Sequence, residues 1–294
     1  MHRYSLKKIP YRLSLLLVAT LLFGCTSIPV GKYGVLSDSN TQILAETTDT
    51  YARIEKLQRY FAVVTSPNKD IDANSFKPEV DCRSIDVTPE LRFRENALEV
   101  MVKYTTFLSI LSSKDYQTDV DKASQGLAGS LKNLIGSSTN TPDAGMASGI
   151  AATLINVISE QVIEHRRADA LRKAMDMAQD DINNLSSLIV GSNEKIKKIV
   201  GLMQGRIIAH ANADRPSYAS TNRVVFDSNM AVVLAEIEDI NMSLDSISSA
   251  IAKIPAAHKE IRAALDKKPT TLDALQGLVQ EAQRANKFYR NLGQ

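Results

Sequence analysis

The stretch from Met230 to Ile254, MAVVLAEIEDINMSLDSISSAIAKI, decides which fold we expect of this chain. Its large apolar residues return every three or four positions, and Glu236, Glu238, Asp239 and Asp245 fall between them. The apolar positions are Met230, Val233, Leu234, Ile237, Ile240, Leu244, Ile247, Ile251 and Ile254. Residues at that spacing share one face of an α-helix, so the stretch predicts a helix packed against other helices.

The same spacing predicts four long helices in all, at about 41–66, 88–135, 143–211 and 219–254. The composition agrees with this prediction, because the 294 residues include no Trp, 13 Gly and 9 Pro. Abundant Ala, Leu, Ile, Lys and Glu with few helix breakers is typical of all-helical proteins.

Breaks between these helices are marked by polar residues, Pro and Gly. A long connection is predicted at 66–87, where periodicity is weak, with room for a short strand or turn. Thr88 is predicted to cap the second helix, with Pro89 at its first position. Gly126 or Gly129 could interrupt that helix, since Gly costs ~1 kcal/mol against Ala in a helix interior.

Two shorter helices are predicted after the four long ones. Pro255 can begin one that runs to about Leu265, and Thr270 or Thr271 can cap the last. We therefore expect an all-α fold, with 40–294 forming a single elongated antiparallel bundle of four to six long helices with coiled-coil-like packing.

The N-terminus follows a different pattern. The first 12 residues contain Arg3, Lys7, Lys8 and Arg12 and no acid, and the apolar run LSLLLVATLLF covers 11 residues from Leu13. That run is short of the ~20 residues a membrane-spanning helix needs and fits a signal peptide. It ends in Leu21-Leu22-Phe23-Gly24-Cys25, which resembles the lipobox of bacterial lipoproteins.

The resemblance implies that Cys25 carries diacylglycerol through a thioether and becomes the first residue of the mature chain, its amine usually acylated, for example with palmitate. It makes 1–24 a lipoprotein signal peptide, 25–39 a lipidated tether, and the membrane a partner through that lipid. Two or three acyl chains give stable anchoring, because each buried methylene contributes ~0.8 kcal/mol. Thr26 after the cysteine favours the outer membrane in a Gram-negative host.

Charge and cysteine content narrow the classes of partner. The chain has 35 Lys and Arg against 33 Asp and Glu, and four of the basic residues precede Cys25, so the remainder carries a net charge of −2. This mixed, near-neutral composition gives no basic footprint for nucleic acid. If Cys25 is lipidated, Cys82 is the single free cysteine; it could be buried or could pair between molecules.

A weakly charged region at 126–159 allows two interpretations. Gly136 to Pro142 is a turn signal, and Ala144 to Ser159 carries no charge but is too short for a membrane span. In one interpretation, it is a helical hairpin buried in the bundle or in an oligomer. In the other, it inserts into membranes, an organisation that resembles the α-helical pore-forming cytolysins.

A search for chemistry in the remaining chain finds no catalytic or phosphate-binding motif. His165, His210 and His258 have no second ligand at metal-binding spacing, and Asp180-Asp181 is expected on a solvated helix face. We expect no cofactor, no metal and no enzyme activity. The sequence predicts a lipid-anchored envelope protein acting as a helical structural or protein-interaction module, or alternatively a membrane-active protein of pore-former type.

Overall fold

The computed structural model of the chain describes residues 28–65, 79–80, 83–84, 87–113, 116–138, 149, 151–154, 167–266 and 271–292. The helices are α1 (Val30–Thr65), α2 (Thr88–Ser112), α3 (Tyr116–Ser138), α4 (Arg167–Asp214), α5 (Ser220–Ala264) and α6 (Asp273–Leu292). A 3-10 turn (Arg215–Ser217) joins α4 to α5, and residues 151–154 are also helical. Strands β1 (Glu79–Val80) and β2 (Arg83–Ser84) form a small antiparallel ladder within the predicted connection. The predicted all-α helical bundle is confirmed.

Helix α1 is central, because it packs against α2, α4, α5 and α6. It runs parallel to α4: the Tyr33 hydroxyl donates to the Met175 sulfur at 3.7 Å, and the Tyr51 hydroxyl donates to Asn193 Oδ1 at 2.9 Å, both 142 positions along the chain. It runs antiparallel to α5, where the Tyr60 hydroxyl reaches the Met230 sulfur. At 1.5 Å per residue, the 48 residues of α4 make the bundle about 70 Å long.

The buried side chains form two clusters along this axis. The proximal cluster surrounds the start of α1 and includes Tyr33, Leu36, Tyr104, Phe107 and Ile261. The distal cluster surrounds the end of α1 and is built mainly from α1, α4 and α5. It contains Tyr51, Ile54, Leu57, Phe61, Val87, Leu91, Ile196, Val200, Met203, Ile207, Ile237, Ile240 and Leu244. Most of the apolar positions predicted from the stretch 230–254 are therefore buried.

The N-terminal boundary of the bundle differs from the prediction. Helix α1 begins at Val30 rather than near 40, so residues 30–39 belong to the helix and not to a tether. Tyr33 and Leu36 are fully buried, and Ile28 packs against the proximal cluster. Burying a large apolar side chain contributes ~1.5–3 kcal/mol to stability. This exceeds the ~1 kcal/mol that each glycine in a helix costs relative to alanine, so the helix can extend through the glycines of this segment.

The second predicted helix is also divided differently. Helix α2 ends at Ser112, and Ser113 is extended, with φ −71° and ψ 159°. Gly126 and Gly129, the predicted points of interruption, lie inside α3, which folds back along α2. At the start of α2, Pro89 lies in the first turn as predicted, but Val87 holds the N-cap position and Thr88 is already helical.

Pro255 lies inside α5 rather than at the start of a new helix. Because proline has no backbone N–H, the carbonyl of Ile251 loses its usual donor one turn later. The Ser186 hydroxyl of α4 donates to that carbonyl at 2.9 Å in the buried interface. A side chain from the neighbouring helix thus replaces the missing hydrogen bond, and α5 continues to Ala264.

The last helix is capped from another helix. The carboxylate of Glu260 in α5 accepts hydrogen bonds from the backbone N–H groups of Ala274 and Leu275, each at 3.0 Å. It satisfies orphan donors in the first turn of α6 and lies in the positive field of that helix N-terminus. Thr271 does not cap the helix as predicted, since α6 begins at Asp273 after Leu272, whose φ is 59°. The other predicted cap, Thr270, lies outside the described residues.

We expect Ser186→Ala to lower the free energy of unfolding by about 1–2 kcal/mol, because it leaves a buried carbonyl unsatisfied. The same substitution should cost clearly less in a Pro255→Ala background, where the restored N–H of residue 255 can bond the Ile251 carbonyl. Urea unfolding of the four variants of this double-mutant cycle measures the coupling. Equal costs in both backgrounds would contradict the repair of the proline gap by Ser186.

Candidate functional site

The structure describes two of the histidine and cysteine residues that the sequence singled out. Cys25, Cys82 and His165 lie outside the described residues. His210 lies near the far end of α4, away from His258 in the second half of α5. The two histidines that the structure describes therefore do not come together in one place.

A row of buried and half-buried polar side chains follows one face of α4. We call Arg172, Gln179, Ser186 and Asn193 the polar ladder, because they recur every seven residues on the face that meets α5. Arg172 bonds Asp266 and the Leu265 carbonyl; Gln179 bonds His258; Ser186 bonds the Ile251 carbonyl; Asn193 bonds Ser248 and Tyr51. Sequence reading missed this feature because it followed apolar periodicity, although the seven-residue spacing was a usable signal.

His258 lies at the centre of the ladder and is fully buried. Its Nδ1 lies 2.8 Å from Gln179 Oε1, and its Nε2 lies 3.0 Å from the Tyr104 hydroxyl. Since Gln179 Oε1 can only accept, Nδ1 carries the proton and Nε2 accepts from the tyrosine. Both ring nitrogens are thus engaged within the bundle, and the residue connects α2, α4 and α5.

Burial sets the protonation states of this network. It lowers the pKa of His258 from 6.5 to about 4, partly offset by the charge of Asp176. It also raises the pKa of Tyr104 well above its ordinary value. His258 and Tyr104 are therefore both neutral at pH 7 and act as hydrogen-bonding groups between helices.

Asp181 corrects the expectation for the Asp180-Asp181 pair. Asp180 is exposed as predicted, but Asp181 is buried. Burial raises the pKa of Asp181 to about 6, a shift that the hydrogen bond with Thr153 opposes and the neighbouring charge of Asp180 increases. Thr153 belongs to the helical residues 151–154, so this contact ties that short segment to α4.

An open groove lies between α4 and the part of α5 that follows Pro255. Its volume is about 720 Å³, and its walls carry Asp176, Asp180, Lys259 and Arg262. Arg262 holds Asp176 in a two-pronged ion pair, with distances of 2.7 and 2.8 Å, and also bonds Asp266 at 2.9 Å. The Arg262–Asp176 pair joins the end of α5 to α4 and, as a surface ion pair, contributes ~0.2–1 kcal/mol.

The distal end of the bundle exposes apolar side chains. After Ile207, α4 continues to the 3-10 turn, and α5 returns from that turn to Met230. In this region the two helices run side by side as a pair. Arg215 and Asp227 form a two-pronged ion pair across this turn, and the rings of Tyr218 and Phe226 stack at 4.8 Å. Large apolar residues exposed around it are Leu202, Ile208, Val224, Val225 and Val232. We call residues 202–235 the distal hairpin.

Within the described part of the chain, no cluster of three or more His, Cys, Asp or Glu side chains is arranged to hold a metal ion. Among the described helices, none combines the length and the apolarity that crossing a membrane requires. Comparison with family models, with curated proteins and with solved structures gives no match to this chain.

The neutral, buried state of His258 predicts a pH dependence of stability. The unfolded chain takes up a proton on this ring below pH 6.5, whereas the folded chain does so only below about 4. Stability from this group is thus fully present above 6.5 and falls by up to about 3 kcal/mol as the pH drops to about 4. Urea unfolding between pH 4 and pH 7 measures the loss.

Asp181 has the opposite effect on stability over an overlapping pH range. Because its pKa in the folded chain is raised to about 6, it favours folding as the pH falls. The measurement is therefore made in an Asp181→Asn background. His258→Gln in the same background serves as the control, since glutamine does not titrate and should remove the additional slope. An unchanged slope in that control would show that His258 is not the group responsible.

Proposed function

We propose that this chain is a lipid-anchored envelope protein that acts as a helical interaction module, held to the outer membrane through Cys25. The resemblance of Leu21 to Cys25 to a lipobox supports the anchor. The placement of Ile28 supports a close attachment, because it packs on the proximal cluster only three residues after Cys25. Three residues span at most about 11 Å, so the bundle would lie directly on the bilayer surface.

An apolar groove at the proximal end agrees with this arrangement. It has a volume of about 380 Å³, lies between α1 and α6, and is lined by Val35, Leu272, Leu275 and Val279 among others. Its residues in α1 follow Cys25 by only six to ten positions. An apolar surface at that height would face the interfacial region of the membrane, where apolar side chains are favourable.

The exposed apolar residues of the distal hairpin lie at the other end of the bundle. Because α1 and α4 run parallel from the proximal end, the turn at Arg215–Ser217 is about 70 Å from the start of α4. The single observation that carries the proposal is a separation: Ile28, three residues after Cys25, packs at the proximal end of the bundle, and the exposed apolar surface lies at the other end. Such a molecule would present its distal hairpin away from the membrane, to a protein partner or to another copy of itself.

The anchor predicts that Cys25→Ala abolishes lipid attachment, because the lipid has no other attachment point in the proposed chemistry. Metabolic labelling with palmitate should disappear, and the variant should keep residues 1–24 and migrate as a longer chain on a denaturing gel. Cys82→Ala is the matched control and should change neither result. Labelled, membrane-bound protein in the Cys25→Ala variant would rule out this anchor.

The membrane-active alternative would require the region near 126–159 to leave the bundle. In its described parts, Leu127, Leu131, Leu134, Ala151 and Leu154 are buried in the proximal cluster. Exposing these side chains to reach a bilayer would first cost their burial in the core, at ~1.5–3 kcal/mol for each leucine. These contacts support the interaction module over the pore former.

Leu154→Lys separates the two functions. In the interaction module, the lysine places an unpaired charge in the proximal cluster and should lower stability by several kcal/mol, measured by urea unfolding. Liposomes loaded with dye should stay sealed with the wild-type chain and with the variant. Leakage with the wild-type chain that the substitution abolishes would instead favour the membrane-active function.

A further inference from the structure

The apolar groove between α1 and α6 is open to the surface, and no described helix fills it. Gly31 and Val35 of α1 face Leu272, Leu275 and Val279 of α6 across it. Val35 stays 40% exposed although the neighbouring Leu275 is buried. The volume of about 380 Å³ lies within the ~300–1,000 Å³ of pockets that bind one small ligand. We call this feature the proximal groove.

The proximal groove starts at the end of α1 that is nearest to Cys25. Glu260, near the end of α5, caps the first turn of α6, so α5 and α6 are antiparallel. Since α5 is also antiparallel to α1, helices α1 and α6 run in the same direction. The groove therefore begins at Gly31 and Leu272 and follows α6 for about 10 Å to Val279.

The entrance of the groove has an unusual backbone on one wall and an open position on the other. The φ of Leu272 is 59°, in the left-handed region that residues with large side chains rarely adopt. In this conformation Leu272 both lines the groove and packs against the proximal cluster. A Cβ placed on Gly31 would meet no atom within 4 Å. Strained backbone of this kind recurs at ligand clamps, which points to a ligand here.

We propose that one acyl chain of the lipid on Cys25 lies in the proximal groove, with its far end beside Val279. This inference rests on the proposed lipid anchor and deepens it. The short chain between anchor and groove carries the choice of ligand. Ile28 is held on the proximal cluster, and the three residues from Cys25 to Ile28 span at most about 11 Å, so the acyl chains begin close to the groove entrance.

The lining of the groove suits a hydrocarbon chain. Among the described residues that line it, Lys32 is the only one with a charge, and none is acidic. A lysine can lay its apolar stem along a hydrocarbon while its ammonium group stays in water. With three acyl chains on Cys25, the two that remain in the bilayer still give stable anchoring. The groove would then fix the direction of the bundle relative to its anchor.

Segments beside the groove and at the far end of α1 suit it less well. Residues 267–270, which precede Thr271, are Lys-Lys-Pro-Thr and contain no large apolar side chain. Residues 66–78 follow Thr65, which lies about 45 Å along α1 from Val35. Neither segment offers what the acyl chain offers, an apolar group attached next to the entrance.

Two other segments contain more apolar residues. The region 139–166 is attached elsewhere in the bundle, because its Thr153 bonds Asp181 of α4, a helix that does not line the groove. Residues 1–24, with the apolar run from Leu13, leave the chain when the proposed anchor forms. Only residues 25–27 and their lipid then precede the described bundle.

Photo-cross-linking in cells that make the full chain tests which group occupies the groove. The cells are fed palmitate with a diazirine at the end of its chain, which enters both the lipid on Cys25 and the membrane lipids. A chain in the bilayer places the diazirine near the centre of the ~30 Å hydrocarbon core, away from the bundle. A chain in the groove places it beside Val279. Irradiation should therefore join the lipidated Cys25 peptide to the α6 peptide that contains Leu275 and Val279.

Mass spectrometry identifies both members of each cross-link and so separates the outcomes. A membrane phospholipid joined to the α6 peptide would overturn the proposal, because the groove would then take its chain from the bilayer. A lipidated Cys25 peptide with no cross-link to α6 would also overturn it, while leaving the anchor intact. The absence of any lipidated Cys25 peptide would refute the anchor itself, and the occupied groove with it.

Two glycines of α1 provide a matched pair of variants. Gly31→Leu fills the groove entrance, whereas Gly34→Leu adds the same side chain at a position that does not line the groove. A Cβ has open space at both positions, and leucine favours a helix more than glycine does, so both variants should fold. Gly31→Leu should lower the yield of the α6 cross-link about ten-fold, because the acyl chain would overpack the filled entrance. Gly34→Leu should leave it unchanged, and equal yields in the two variants would overturn the groove as the site.

Discussion

The register between α4 and its neighbours is the constraint on which the rest of the bundle depends, and the polar ladder sets it. Each ladder side chain finds its partner at one height only: Ser186 at the carbonyl freed by Pro255, Gln179 at His258, and Asn193 between Tyr51 and Ser248. A slip by one helical turn moves α4 by about 5.4 Å and leaves these buried groups without partners. Each lost hydrogen-bonded pairing costs ~1–3 kcal/mol of stability. The apolar contacts alone would tolerate several registers, but the polar ladder leaves a single favourable register.

That register determines how the two ends of the molecule differ. Tyr33 against Met175 and Tyr51 against Asn193 hold α1 parallel to α4 at a constant offset, so the start of α1 is brought beside the end of α5 and the start of α6. All six helices contribute to the proximal cluster, whereas the distal cluster comes mainly from α1, α4 and α5. Past Thr65, only α4 and α5 continue among the described residues. The exposed valines of the distal hairpin follow from this loss of neighbours.

The sequence predicts the helix type and the core face well, because both depend on a local repeat. Ile237, Ile240, Leu244 and Ile251 lie on the predicted face and are buried. The prediction fails where a tertiary contact overrides a local signal. Gly31 and Gly34 favour a tether, but burial of Tyr33 and Leu36 makes them helical. Pro255 favours a boundary, but a serine 69 positions earlier supplies the missing donor.

The candidate site was less predictable for the same reason. His258 has no neighbour in sequence that reveals its environment, since its partners Gln179 and Tyr104 are 79 and 154 positions away. The chemistry of a lone histidine depends on what surrounds it, and here burial keeps it neutral. The anchor at Cys25, by contrast, is a local motif and can be proposed from sequence alone.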